Sequence, residues 1–176
     1  HIRDLSTHEN SGITHKGKFL GLTETETTTS TGVKTGLNHI KELGVNALQI
    51  LPFYDQENDE TNMGFNWGYN PKNYNVLEGG YSSDPYNGLV RIQEFKRVVQ
   101  AYANEDIRII MDVVYNHVAS ISQHSFTKLV PGYYFRYNLD GSPRSKSGCG
   151  NDTASERIMM QNYMVDSAYF WATEYK

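Results

Sequence analysis

Apolar positions gather in two compact runs, each preceded by a stretch in which they recur every three or four residues. "VNALQIL" (45–51), closed by Pro52, and "IRIIMDVV" (107–114) are short and rich in branched residues, which predicts two buried strands. Upstream of the first, "TGLNHIKELG" sets Leu37, Ile40 and Leu43 on one helical face, with Gly44 placed to stop the helix. Upstream of the second, "RIQEFKRVVQAYAN" does the same with Ile92, Phe95, Val99 and Tyr102, and Asn104 ends it. The opening His1-Ile2-Arg3-Asp4 reads as a further strand near 1–5. Beyond a long polar and aromatic stretch, Thr153-Ala-Ser-Glu156 predicts a capping box for a helix of about five turns ending in "SAYFWATEY". The predicted order is strand, helix, strand, helix, strand, helix. Strands apolar on both faces and alternating with helices imply a parallel sheet covered on both sides. Pattern alone does not separate a closed barrel from an open sheet.

The connections are lopsided. Segments running from helix to next strand are a few residues long, whereas those leaving the strands span roughly 6–34, 52–88 and 115–153. In (β/α)8 enzymes the loops after the strands build the functional face, so long insertions there are expected. "TETETTTSTG" (23–32) is polar with no apolar anchor and is expected to be mobile. "GFNWGYNPKNYN" (64–75) is the opposite case, a loop with an aromatic load. Its rings either plug a core or make a floor for a flat, uncharged ligand.

Composition narrows the partner. The chain has 176 residues, enough for one domain, and a formal net charge of −4, which argues against a nucleic-acid backbone and for a neutral ligand. The single cysteine, Cys149, forbids an internal disulfide and leaves the redox compartment open. No apolar run approaches the roughly 20 residues that cross a bilayer, so no membrane partner is implied. No signal peptide is visible, and secreted and cytoplasmic locations are equally compatible. The absence of an initiator Met and the stop at Lys176 directly after a helical run read as a piece of a longer chain.

The sharpest constellation is "DVVYNH" (112–117). Asp112 interrupts an apolar strand, and a buried carboxylate is costly unless paired or hydrogen-bonded. Asn116 and His117 follow where the strand should end. A functional site and a structural Asp bonded to backbone amides both fit. The six histidines are scattered, with no HExxH or Cys/His spacing, so no metal site is expected. Neither a GxSxG elbow nor a phosphate loop is present, and "GCGN" (148–151) lacks the strand-then-helix setting of a dinucleotide fingerprint. The acidic run Asp55, Glu57, Asp59 and Glu60 reads as a solvated face.

"DVVYNH" resembles the first conserved region of the α-amylase superfamily of glycoside hydrolases, at the end of the third barrel strand. "FNWGYNP" (65–71) resembles the more specific Tyr-Asn-Trp-Gly-Tyr-Asp-Pro motif of type I pullulanases, with Phe65 in place of Tyr and Asn70 in place of Asp. "KGKFLGLTE" (16–24), "TGLNHIKELGVNALQILP" (35–52) and "SGCGNDTASER" (147–157) are similar to pullulanase segments in the same order. The resemblance implies a partial TIM (β/α)8 barrel, its first three βα units with long βα loops, occupying 1–176 as the N-terminal portion of a catalytic barrel with strands near 1–5, 45–51 and 107–114.

Residue by residue, the resemblance implies that Tyr69 stacks on the sugar on the non-reducing side of the scissile bond. Trp67 would wall the same cleft, and His117 would bond a hydroxyl of that sugar. Asn116 matches a position that is structural or calcium-linked in amylases, and Asp112 one that braces an arginine lying outside this chain. No cofactor is implied, calcium being left open. The implied partners are an α-glucan such as pullulan or a branched dextrin and the remainder of the same enzyme. The nucleophilic Asp, the acid Glu and a stabilising Asp follow the fourth, fifth and seventh strands of the family, so no catalytic carboxylate is expected among these 176 residues. Alone they should neither hydrolyse glucan nor fold well, since three strands of eight leave two unpaired edges. The alternatives are an isoamylase or glucan branching enzyme, or a non-catalytic carbohydrate-binding protein on a degenerate barrel. A Gly-Phe-Arg-Phe-Asp-like strand past Lys176 would favour the enzyme.

Overall fold

The computed structural model describes residues 1–176. Two parallel strands form its centre, β1 (Ala47–Ile50) and β4 (Arg108–Met111), in the register Ala47↔Arg108 to Ile50↔Met111. Both fall inside the runs expected to form strands. Leu48, Ile50, Ile109 and Met111 face the main core, where Phe19, Leu37, Phe53, Phe95, Val98, Tyr102 and Trp171 meet. The expectation of burial on both faces fails: Gln49 is exposed and Ile110 keeps 49% of its surface. Each strand has one neighbour.

The segment at 1–5 is not a strand. It is a short helix, α1 (Ile2–Ser6), and the reason is local. His1 stands at its N-cap, where the ring Nδ1 accepts the Asp4 N–H at 3.4 Å and the carbonyl accepts the Leu5 N–H at 3.1 Å. Ile2 and Ser6, four residues apart, then share the buried face.

The amphipathic helices form where their spacing places them. α2 (Gly36–Glu42) ends before Gly44, whose φ is +68°, and buries Leu37 and Ile40, although Leu43 points outward. α3 (Gly88–Ala103) is capped by Asn87, whose side chain accepts the Leu89 N–H at 3.1 Å, and buries Phe95, Val98 and Tyr102. The last helix, α5 (Ile158–Glu174), starts later than its capping box requires. Thr153 gives its hydroxyl to the Tyr115 carbonyl at 2.6 Å, and Glu156 pairs with Arg136 at 2.6 Å, so both capping side chains are spent elsewhere.

The long connections carry structure of their own. Within 52–88, β2 (Tyr54–Gln56) and β3 (Pro71–Leu77) pair antiparallel. Within 115–153, a single turn of helix, α4 (Ser125–Leu129), sits on a second core made by Tyr74, Val118, Ile121 and Phe135. The segment 23–32 is tied down by polar anchors where no apolar one exists: the Ser30 N–H meets Asn10 Oδ1 at 2.8 Å, and Thr29 N–H meets the Val33 carbonyl at 2.8 Å. No helix is long and apolar enough to cross a membrane.

Candidate functional site

Asp112 follows β4 directly, and its N–H donates to the Ile50 carbonyl at 3.0 Å, continuing the ladder by one bond. Its Oδ2 accepts the Tyr69 hydroxyl at 2.8 Å and, more distantly, the Gln49 amide at 3.3 Å. The Tyr69 ring is half-buried. Burial, and then the hydrogen bond to Asp112, push its phenol up to about 12, so the group stays protonated and donating at neutral pH.

Tyr69 reaches Asp112 because its loop is held at several points. Gly68 has φ of +90°, and a Cβ there would stand 2.7 Å from the Pro52 carbonyl oxygen, so only glycine fits. Asn66 Oδ1 accepts the Gly68 N–H at 3.0 Å, and the Asn66 amide donates to the Glu57 carbonyl at 2.9 Å. Asn70 donates to the same carbonyl at 3.1 Å, a bond that an ionised Asp could not make. From the other end of the chain, His1 Nε2 donates to the Asn66 carbonyl at 2.7 Å. The turn thus stands on side-chain amides and one histidine as much as on glycine.

The two remaining rings of the loop face solvent. Trp67 is 64% exposed and Phe65 61% exposed, with their centroids 6.3 Å apart in an edge-to-face arrangement. Neither fills a core.

His117 is only 7% exposed, and Nδ1 lies 3.2 Å from the Asn116 side-chain oxygen. Its carbonyl accepts the hydroxyl of the buried Tyr74 at 2.6 Å, which fastens the end of the "DVVYNH" segment to β3. Asn116 is exposed, and its carbonyl accepts the Thr153 N–H at 3.0 Å. Tyr69 and Asp112 are therefore in direct contact. Asn116 and His117 lie further along the same exit from β4 and share no hydrogen bond with Tyr69.

The acidic run does not behave as one solvated face. Asp55 is buried and, with Glu60 and the fully buried Glu78, brings carboxylate oxygens within 4.8 Å of one another. Burial holds Asp55 and Glu78 above the usual carboxylate range. Three oxygen ligands of this kind suit a hard cation. Each carboxylate already has protein partners: Asn73 on Asp55 at 2.5 Å, the Gln56 and Gly80 N–H groups on Glu78 at 3.0 and 2.6 Å, and both terminal nitrogens of Arg91 on Glu60 at 3.2 and 2.9 Å. Arg91 supplies the positive charge at this cluster. Its members are also too committed to serve as a nucleophile and acid pair.

Sequence reasoning passed over His1, Gln49 and Glu78. Gln49 had a signal, being the one polar residue in an apolar strand. His1 and Glu78 had none short of the fold.

Residues 16–139 match the model of the alpha amylase catalytic domain. The chain belongs to that family. Among curated relatives, the pullulanase of Bacillus subtilis (strain 168) is 42% identical over 178 residues, taking in 99% of this chain and 25% of its own length. Pullulanase 1, chloroplastic, of Arabidopsis thaliana is 32% identical over 213 residues, covering 100% of this chain and 22% of its own. The crystal structure of the pullulanase from Paenibacillus barengoltzii in complex with maltohexaose and alpha-cyclodextrin superposes with a TM-score of 0.96 at 51% identity, over 99% of this chain and 28% of that one. The chain thus spans about a quarter of the length of the relatives it matches. As an alpha-amylase family member it shares its mixed α/β organisation with solved pullulanases, and the resemblance read from "FNWGYNP" and "DVVYNH" is borne out.

Proposed function

We propose that this chain supplies the substrate-facing part of a pullulanase-like debranching glycoside hydrolase that cleaves α-1,6-glucosidic linkages in pullulan and branched α-glucans with retention. The observation that carries the reading is the Tyr69–Asp112 hydrogen bond at 2.8 Å, which joins the aromatic loop to the end of a central strand within a chain similar to pullulanases throughout. A phenol anchored by its hydroxyl offers its ring face, and an aromatic face suits the C–H face of a pyranose. Trp67 extends that surface. His117 and Asn116, at the exit of β4, are the groups that would meet sugar hydroxyls, and Asp112 is their structural support.

The parallel pair β1 and β4, with the helices α3 and α5 that follow them, supports the reading of consecutive βα units in a (β/α)8 barrel. The finer expectation of three such units loses its first strand to α1. Retention needs two carboxyl groups about 5–5.5 Å apart. The converging carboxylates Asp55, Glu60 and Glu78 are held by Arg91, Asn73 and backbone amides, which supports a nucleophile and acid supplied from outside residues 1–176. On this reading the labour divides: this part holds and orients the glucan, and the rest of the enzyme supplies the chemistry.

The complete protein should release maltotriose from pullulan, and Tyr69→Ala should lower kcat/KM by at least tenfold, about 1.4 kcal/mol. Reducing-sugar release by residues 1–176 alone would refute the division of labour. A complete enzyme that ignores pullulan and attacks unbranched amylose would refute the debranching assignment.

A further inference from the structure

We propose that Gln49 is a positioning residue for the Tyr69 ring, acting through Asp112; the inference rests on the reading of Tyr69 as a sugar platform. Gln49 is the only polar side chain of β1, where it pairs in register with Ile110 of β4. Asp112 lies two residues beyond Ile110, so its side chain leaves the sheet on the same face as Gln49. The Gln49 amide donates to Asp112 Oδ2 at 3.3 Å, and the Tyr69 hydroxyl donates to that same oxygen at 2.8 Å. One oxygen thus collects two donors, one from a strand and one from a loop.

The consequence is orientational. Without the amide, Oδ2 loses its one donor borne on a strand, and the phenol bonded to that oxygen sweeps a wider arc. Ring-face contact with a sugar tolerates only about 10–20° of misalignment. Gln49 contributes a rigid, strand-borne reference for that angle while touching no sugar itself.

The test uses the complete enzyme and pullulan. Gln49→Leu should raise KM about fivefold with kcat nearly unchanged and no loss of melting temperature, and Tyr69→Phe should do the same. The double variant should be no worse than the poorer single one, because both break one chain of contacts. Gln49→Glu places a second carboxylate beside Asp112. Its KM should therefore be raised at neutral pH and recover as pH falls and one of the two takes a proton, a dependence that a merely structural glutamine would not produce. KM effects that multiply in the double variant, or wild-type KM in Gln49→Leu beside an impaired Tyr69→Ala, would overturn the proposal and leave the platform standing. Wild-type KM in Tyr69→Ala would remove the platform and the proposal together.

Discussion

Residues 64–70, with three rings, and 71–81, with two, are neighbours, yet their side chains meet opposite fates. In the second stretch Tyr74, Leu77 and Tyr81 are each 1% exposed. In the first, Phe65 and Trp67 stand in solvent and Tyr69 is half-buried against a carboxylate. The difference lies in the backbone. β3 is extended and packed from both sides: Tyr74 enters the second core, where Trp171 of α5 donates to its carbonyl at 3.0 Å, Leu77 enters the main core, and Tyr81, in the short 3-10 turn that follows the strand, joins the main core as well. The preceding loop turns at Gly68 on hydrogen bonds from Asn66, Asn70 and His1, which leaves its rings without a wall to lie on. Aromatic content therefore says nothing about whether a ring stabilises or presents; the backbone beneath it does.

Substitutions should separate the two stretches, starting with the largest effect. Tyr74→Ala in the complete enzyme should cost about 3–5 kcal/mol in denaturant unfolding, through the cavity left among Tyr115, His124 and Tyr163. Tyr74→Phe, which spares the ring and strands the His117 carbonyl, should cost about 1–2 kcal/mol. Tyr69→Ala should reverse the proportions: at least a tenfold fall in kcat/KM on pullulan, with a stability change of about 0.5 kcal/mol. Equal losses of stability and activity in both variants would erase the contrast.

This contrast was half legible before the fold was known. The helices at 36–42 and 88–103 and the strands at 47–50 and 108–111 followed from period and capping, because their apolar faces meet a core made largely by each other. The segment at 1–5 misled because Ile2 and Leu5 fit a strand or one helical turn equally, and the choice was made by the His1 cap. The box at 153–156 misled because Arg136 and the Tyr115 carbonyl, distant in sequence, compete for its side chains. Tyr69 and Asp112 were readable as separate motifs. Their contact was not, since it spans 43 residues and depends on where the loop turns.

A smaller effect distinguishes the packed stretch by its pH response. His124 caps α4, its Nδ1 accepting the Phe126 N–H at 3.1 Å, so the proton sits on Nε2 among the rings of Tyr74, Phe126 and Phe135 with no acceptor. Burial lowers its pKa to about 4. The unfolded chain takes up that proton near pH 6.5 and the folded one does not, so stability falls as pH drops from about 6.5 to about 4, by up to about 3 kcal/mol, and levels off below. Asp55 and Glu78, with raised pKa values, act in the opposite sense: their contribution is present at low pH and is lost as pH rises through their folded values. His124→Asn keeps an acceptor for the cap and removes the titration. Melts of that variant should show a flatter slope between pH 4 and 6.5; an unchanged slope would place the acid sensitivity elsewhere.

The smallest effect belongs to the exposed pair. Trp67→Ala and Phe65→Ala remove rings that touch little besides each other and His1, so stability should stay within about 0.5 kcal/mol. If these rings extend the Tyr69 surface, KM should rise a few-fold for pullulan and much less for a short branched oligosaccharide that ends at Tyr69. Phe65→Tyr restores the hydroxyl usual in the pullulanase motif and should change neither quantity, because Phe65 is 61% exposed. A loss of stability in Trp67→Ala comparable to that of Tyr74→Ala would mean that other parts of the complete enzyme bury this loop, and the difference between the two stretches would then be a property of the 176 residues rather than of the working protein.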